Sequence, residues 1–501
     1  MLQARKEDMV MLYRNYIDGK WVESASGKVF ESLNPANGEV LGRVSYAGPN
    51  EIDSAVEAAT RAFSKWRQVP APRRAETLFR AGDILQRRKE ELAIMLTREM
   101  GKVLKEARGD VQEAIDMAYY MAGEGRRLFG YTTPSELPNK FAMQVRDPIG
   151  VVAAITPWNF PLAIPAWKIM PALVAGNTVV FKPAEDTPIM GVLLVQILEE
   201  AGLPPGVLNL VLGPGEVGAA LVEHPKVAMI SFTGSNEVGR EIAIKAAERG
   251  KRLSLEMGGK NAIIVLDDAA LELALEGILW SAFGTSGQRC TAASRVIVQQ
   301  GIQEDLTRSL VERVKKFRLG NGLLETTDIG PVINEPQLQR IHNYTEIGLK
   351  ERAILLTGGK RYTEGECARG FFYTPTVFAL VKPGMRIAQE EIFGPTTVLI
   401  TVKDLEEAIE VNNNTPYGLS SSIYTQDVNK ALKAINNIST GLVYINAGTI
   451  GSEVHLPFGG TRGTGNGHRE AGNAALEAFT EWKSVYIDYS GRLQRAQIDI
   501  D

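Results

Sequence analysis

Apolar residues recur at three- and four-residue steps from Asn50 onward, where Ile52, Val56, Ala59, Phe63 and Trp66 mark an amphipathic helix ending before Pro70. A second helix is expected from about Pro72, with Leu78, Leu85, Leu92 and Leu96 along one face, and a third over Val111 to Met121. Upstream, NYIDGKWVESASG sets Gly and Ser turn signals between short β-rich pieces, which predicts a small hairpin laid over a larger body. Beyond the Gly- and Pro-containing stretch Gly130 to Pro138 the period changes, and apolar strands alternate strictly with helices. The order is IGVVAAI, a helix over Leu162 to Val174, NTVVFKP, a helix to Ala201, VLNLVLG, VAMISFTG and a further helix. This βαβαβ order predicts a parallel sheet covered on both faces. After Glu256 the alternation resumes with AIIVLDD, a helix around Leu271 to Phe283, and RVIVQ, a second α/β unit whose boundary falls near EMGGK.

A length of 501 residues exceeds one ordinary core and agrees with that division. Hydrophobic residues at 44% and charged residues at 23% are globular averages. A net charge of -4, spread through mixed-sign stretches such as Arg87 to Glu91, argues against nucleic acid or a membrane as partner. Cys290 and Cys367 are too few to staple such a chain and read as reduced thiols. No apolar run reaches bilayer length, and the opening MLQARKEDMVMLYRNY lacks a secretory leader's apolar core and cleavage site, so a cytoplasmic location is the default expectation. The tail GRLQRAQIDID reads as an exposed end.

Chemistry then has few places to reside. Cys290 lies in FGTSGQRCTAASR, between a Gly/Ser turn and an apolar strand, a junction that can present a side chain to a cleft. A lone cysteine is nevertheless more often an inert buried thiol. His224, His342, His455 and His468 are scattered, which speaks against a zinc site and against a Cys/His hydrolase, and no metal is expected. The acid–base group should be a carboxylate. Glu256 ends the strand RLSLE before two glycines, at the kind of strand C-terminus where open α/β sheets build sites, although taken alone a capping or salt-bridged glutamate is the commoner explanation. GPGEVG, containing Gly215, is formally a GxGxxG but lacks the acidic residue expected about 20 positions on. FTGSNEVG offers a better anion site, since Ser235 caps a helix after the strand that ends at Phe232 and Gly234 sits in the turn. In FKPAED, Lys182 and Glu185 can bond the two hydroxyls of a ribose, or merely pair with each other.

Taken together, ITPWNFP, FKPAEDTP, FTGSNEVG, LEMGGKN, GQRCTAASR, EEIFGP, NNTPYGLSSSIYT and PFGG resemble the aldehyde dehydrogenase superfamily, in the family's order over nearly the whole chain. The resemblance implies an α/β fold with a Rossmann-type cofactor domain (1–128 and 149–256), an α/β catalytic domain (257–465) and a small β oligomerisation element (129–148 and 475–491). It implies Cys290 as nucleophile, Glu256 as base, Asn159 as oxyanion donor with the Cys290 backbone N–H, and Lys168 among the catalytic groups. Ile155, Thr156, Pro157 and Trp158 would line the cofactor groove with Gly215, Phe232 and Gly234, Lys182 and Glu185 hold the adenosine ribose, and Ser235 contact the pyrophosphate. Glu391 and Phe393 would hold the nicotinamide end. The cofactor is expected to be NAD, with NADP open because Lys182 can accept a phosphate if Glu185 turns away. An ionised Glu256 beside Cys290 would oppose the thiolate, so Glu256 is expected to stay protonated or swing away before acylation.

For the substrate, GQRCTAASR and GSEVHLPFGG resemble the branches acting on α-ketoglutaric and α-aminoadipic semialdehydes. Arg289 is the expected carboxylate anchor, with Glu113 and Phe160 beside the substrate. The stretch GTRGTGNGHREAG departs from the superfamily's shorter pattern at Asn466 and His468, and His455 and His468 either shape the pocket mouth or pack. The expected partner is a small aldehyde, and the expected assembly a homodimer or homotetramer. The competing readings are a general aliphatic or glyceraldehyde dehydrogenase, a CoA-acylating enzyme, against which Glu256 argues, and an idle binding protein on the same fold.

Overall fold

The computed structural model describes residues 11–498; the leader reading of the first ten residues and the last three residues of the tail lie outside them. Two seven-stranded sheets form the body. The first runs Arg252–Glu256, Met229–Thr233, Val151–Ile155, Thr178–Lys182, Leu208–Leu210, Asn15–Ile17, Lys20–Val22. Its first five strands are parallel, and helices cover both faces because the side chains alternate between two cores. Val152, Ala154, Val179 and Phe181 enter one core, while Val151, Ala153, Ile155 and Val180 enter the other. This is the doubly wound Rossmann-type arrangement.

The second sheet runs Ile354–Thr357, Thr376–Ala379, Thr396–Val402, Ala293–Gln299, Asn261–Val265, Ser420–Tyr424, Leu442–Ile445, parallel except for its first strand. The chain passes between the sheets across Met257 to Lys260. A third sheet of three antiparallel strands, Thr480–Asp488, Lys140–Pro148 and Tyr131–Pro134, projects from the body. No helix among the described residues is long and apolar enough to cross a membrane.

Three local expectations need correction. The opening hairpin is not laid over the body but extends the first sheet, through pairing of Tyr16 with Leu210. Its turn holds Asp18 and Gly19 at φ of 51° and 77°, and the positive angles match the twist of the flanking strands. The helix expected from Pro72 is two helices, Ala71–Arg87 and Lys89–Met100, broken at Arg88; their leucines share one core, which hides the break from a periodicity count. The third helix starts at Leu104, not Val111, and runs to Glu124. Its first turns bury Glu106 and Asp110, acids that a hydrophobic pattern scores as solvated.

Candidate active site

Strand C-termini form the first part of the site. Ile155, Lys182 and Phe232 end or nearly end three adjacent strands of the first sheet, and the turns after them carry Thr156, Pro157, Trp158, Glu185, Gly234 and Ser235. All nine, together with Gly215, line one groove of about 510 Å3. The Lys182 ammonium lies 3.0 Å from Glu185 Oε2, with Lys182 buried and Glu185 largely exposed. Ser235 caps the helix Asn236–Glu248, its hydroxyl accepting the Val238 N–H at 3.3 Å. Gly234 has a steric reason, since a Cβ there would stand 2.4 Å from the Phe232 ring. Gly215 has none, because a Cβ there meets nothing within 4 Å, so its place in a glycine fingerprint carries no steric weight. An apolar groove with a helix N-terminus at one wall and a paired acid and amine at another suits a dinucleotide: amides for the pyrophosphate, Lys182 and Glu185 for ribose hydroxyls.

A second cavity of about 220 Å3 continues from this groove, sharing Pro157, Trp158, Gly234 and Ser235 with it and reaching Asn159, Cys290, Glu391 and Phe393. The Trp158 and Phe393 rings meet edge to face at 5.4 Å. Phe393 holds φ of 60°, and its carbonyl accepts the Gln337 amide at 2.7 Å, a contact that pins this strained backbone. Glu391 Oε1 accepts the Gly259 N–H at 2.9 Å. A Cβ at Gly258 would come within 2.2 Å of Glu391 Oε2, and one at Gly259 within 2.6 Å of the Cys290 carbonyl. The two glycines of EMGGK thus let three chain segments converge.

Cys290 follows a tight turn in which Thr285 and Ser286 hold φ of 53° and 55°. The Asn261 amide donates to the Cys290 carbonyl at 2.6 Å, and the Asn159 amide donates to the Gln288 carbonyl at 3.1 Å. One N–H of Asn159 remains for a ligand. Burial first, then the nearby Glu391 and Glu256, push the Cys290 thiol up to about 12. At rest it is a protonated thiol. Glu256 ends the edge strand of the first sheet, and neither of its buried carboxyl oxygens has a hydrogen-bond partner. Burial and then Glu470 raise its pKa well above the usual carboxylate range, against the opposing pull of Lys168 and Arg469, so its acid form is favoured. Lys168 is fully buried and donates to Glu470, and to the Ser231 hydroxyl at 3.3 Å.

Glu470 was missed by the sequence reading, although it lies in the GTGNGHREAG stretch singled out there. That stretch acts as an extra half-strand: Asn466 accepts the Leu255 N–H at 3.0 Å and donates to the Leu253 carbonyl at 2.7 Å. The histidines do not form the pocket mouth. His455 is exposed beside Glu453, and His468 faces a separate surface cleft with Arg252.

Beyond Cys290 opens a third cavity of about 280 Å3, walled by Phe160, Trp167, Trp280, Ile450 and Phe458. Arg289 enters it between two rings, its guanidinium 4.9 Å from the Trp280 centroid and 5.4 Å from that of Phe160. Its Nε donates to the Thr285 hydroxyl at 2.8 Å and its Nη2 lies 3.6 Å from Glu106. Glu113 lines the same cavity without a hydrogen bond from the protein, and burial, then Asp110, push its carboxyl up to about 8. Among the described residues no group of acids, histidines and cysteines is arranged to hold a metal ion.

Residues 21–485 match the model of the aldehyde dehydrogenase family. An alpha-ketoglutaric semialdehyde dehydrogenase of Bacillus subtilis is 44% identical over 477 residues, spanning 95% of this chain and 98% of that protein. A betaine aldehyde dehydrogenase of the same organism is 39% identical over 479 residues, spanning 94% and 96%. Among solved structures, a betaine aldehyde dehydrogenase from Staphylococcus aureus in complex with NAD+ superposes with a TM-score of 0.94 at 36% identity, covering 97% of each chain.

Proposed function

The chain belongs to the aldehyde dehydrogenase family and is an NAD(P)-dependent oxidoreductase acting on aldehydes, and from that premise we propose that its substrate is a small semialdehyde carrying a remote carboxylate. The observation that carries the reading is Arg289: a guanidinium in an aromatic cavity, adjacent in sequence to Cys290. Its Nη1 makes no protein hydrogen bond and can clamp a carboxylate while the aldehyde reaches the thiol. The semialdehyde relative from Bacillus subtilis adds weight. A cationic aldehyde of the betaine type fits less well, because Arg289 already covers the Trp280 and Phe160 faces that would hold a cation.

In this reading the Cys290 thiol gives its proton to water as the sulfur attacks the aldehyde carbon, and the oxyanion of the thiohemiacetal accepts from the free N–H of Asn159 and from the Cys290 backbone. Bound NAD(P) supplies the two-electron acceptor through which that adduct becomes a thioester. Glu256, unbonded and so free to turn, acts in its ionised form: it takes a proton from water as the water oxygen bonds to the thioester carbon, and returns it to the Cys290 sulfur as the C–S bond breaks and the acid leaves. Trp158, Glu391 and Phe393 hold the nicotinamide end. Lys182 and Glu185 hold the adenosine ribose, which favours NAD because an acid repels a 2'-phosphate. We assign residues 1–128 and 149–256 to cofactor binding, 257–465 to catalysis, and 129–148 with 475–491 to assembly as a homodimer or homotetramer. Exposed Tyr131, Trp482, Tyr486 and Ile487 on the projecting sheet support that last assignment, and free Cys290 and Cys367 agree with a cytoplasmic location.

The test is initial-rate reduction of NAD and of NADP with α-ketoglutaric, α-aminoadipic and succinic semialdehydes against uncharged aliphatic aldehydes. A preference of roughly tenfold or more in kcat/KM for carboxylated substrates supports the reading, equal to about 1.4 kcal/mol of discrimination. A preference for uncharged aldehydes removes Arg289 as anchor and leaves the dehydrogenase in place.

A further inference from the structure

The helix Leu104–Glu124 presents three acids to the cavity beside Cys290, Glu106, Asp110 and Glu113, spaced by four and three residues on one face. Glu113 is open to a ligand. The other two are taken up by backbone. Glu106 accepts the Thr285 N–H at 2.9 Å on both oxygens, and the Thr285 hydroxyl at 3.1 Å. Thr285 and Ser286 have the left-handed φ that side chains disfavour, so this turn persists only because its surroundings hold it. Four residues on, Arg289 returns to the same Thr285 hydroxyl and faces Glu106, and Cys290 comes next.

Asp110 serves the opposite wall. Its Oδ1 accepts the N–H of Ala163, the first residue of the helix that follows the Asn159 segment, at 2.8 Å. Its Oδ2 accepts from the Lys102 ammonium at 2.9 Å, with neither side chain exposed. The two segments are stitched to each other where Asn159 donates to the Gln288 carbonyl.

We propose that Glu106 and Asp110 are positioning residues, which from adjacent turns of one helix fix the distance between the Asn159 amide and the Cys290 backbone N–H. The inference rests on the reading of those two groups as the oxyanion donors. Such donors act by being in place before charge develops, so a small shift of either segment weakens stabilisation of the adduct without touching the cofactor groove.

The test uses the full-length enzyme with saturating NAD and an uncharged aldehyde, so that Arg289 makes no charge contact with substrate. Glu106→Gln keeps a carbonyl acceptor for Thr285 and Glu106→Ala keeps none. Glu106→Ala is expected to slow the burst of reduced cofactor by roughly tenfold or more, with cofactor affinity within about twofold, and Glu106→Gln to recover the rate to within about threefold of wild type. Removing Asp110 alone strands the Lys102 ammonium and risks the fold, so the paired variants Lys102→Met/Asp110→Asn and Lys102→Met/Asp110→Ala are compared. The first should keep the burst and the second lose it. Variants that lose stability and cofactor affinity, but react at the wild-type rate per titrated thiol, overturn the proposal. So does an acceptor at position 106 or 110 that restores nothing. A Cys290→Ala control separates the two levels. If that variant still oxidises aldehydes, the reading of the nucleophile fails; if it is silent while Glu106→Ala reacts normally, positioning alone fails.

Discussion

The groove at the strand ends, through the cavity that continues it, meets the aromatic cavity at Cys290, yet the two are built in opposite ways. In the groove, the residues that face a dinucleotide stand mostly at strand ends or in the turns after them, and the ion pair Lys182 with Glu185 spans three residues and reaches solvent at its acid end. In the cavity, the charged groups come from the helix Leu104–Glu124, the strand end at Glu256, the Cys290 turn and the stretch around Glu470, far apart in the chain, and most are buried. The exposed acid of that pair is screened by solvent and contributes little to stability, so changing Glu185 alters ligand choice more than it alters the fold. Buried members that pair with one another, such as Lys168 with Glu470 and Arg289 with Glu106, support the fold as well as the chemistry.

That contrast can be broken or sharpened in several ways. Cys290→Ala should reduce aldehyde oxidation by roughly 10^4-fold or more while cofactor binding persists, as isothermal titration would report. Retained turnover would detach the cavity from catalysis. Glu256→Gln should preserve the burst of reduced cofactor but lower steady-state turnover by about 10^2- to 10^4-fold, since only thioester hydrolysis needs the base. Because burial and two acids hold the thiol up near 12, its thiolate fraction is small at neutral pH and grows with every unit of increase. Alkylation of Cys290 in the cofactor-free enzyme should therefore accelerate roughly a hundredfold from pH 7 to pH 9; a plateau near pH 7 would mean that the thiol is activated at rest. Arg289→Met should cost carboxylated semialdehydes about 10- to 100-fold in kcat/KM and uncharged aldehydes no more than about threefold. The smallest effect belongs to the groove: Glu185→Gln should shift the NADP-to-NAD ratio of KM values by several-fold, roughly 1 kcal/mol, with no change in melting temperature.

The same difference governs what the sequence discloses. Strands such as Val151–Ile155 and Thr178–Lys182 stand out as apolar runs, and the residues that end them announce the groove because position along the chain and position in space coincide. The broken helix at Arg88 is invisible because two helices sharing one core keep one continuous leucine pattern. Glu106, Asp110 and Glu470 look like solvated acids locally, and only long-range packing gives them Thr285, Ala163 and Lys168 as partners. The spacing of Glu106, Asp110 and Glu113 at helical intervals was the one available signal.

The side chain of Asn466 also has a consequence for how molecules of this protein meet one another. The strand Arg252–Glu256 is the last of its sheet, and a free outer ladder is a template on which another chain can assemble. A carboxamide carries the same donor and acceptor as a peptide group, and here it occupies the Leu255 N–H and the Leu253 carbonyl. The rim of the sheet is thus closed by Asn466 together with the backbone of Thr464 and Gly465, which meets Met257 and Glu256, and replacing Asn466 with a residue that lacks an amide would open the Leu253–Leu255 part of this margin to unintended self-association.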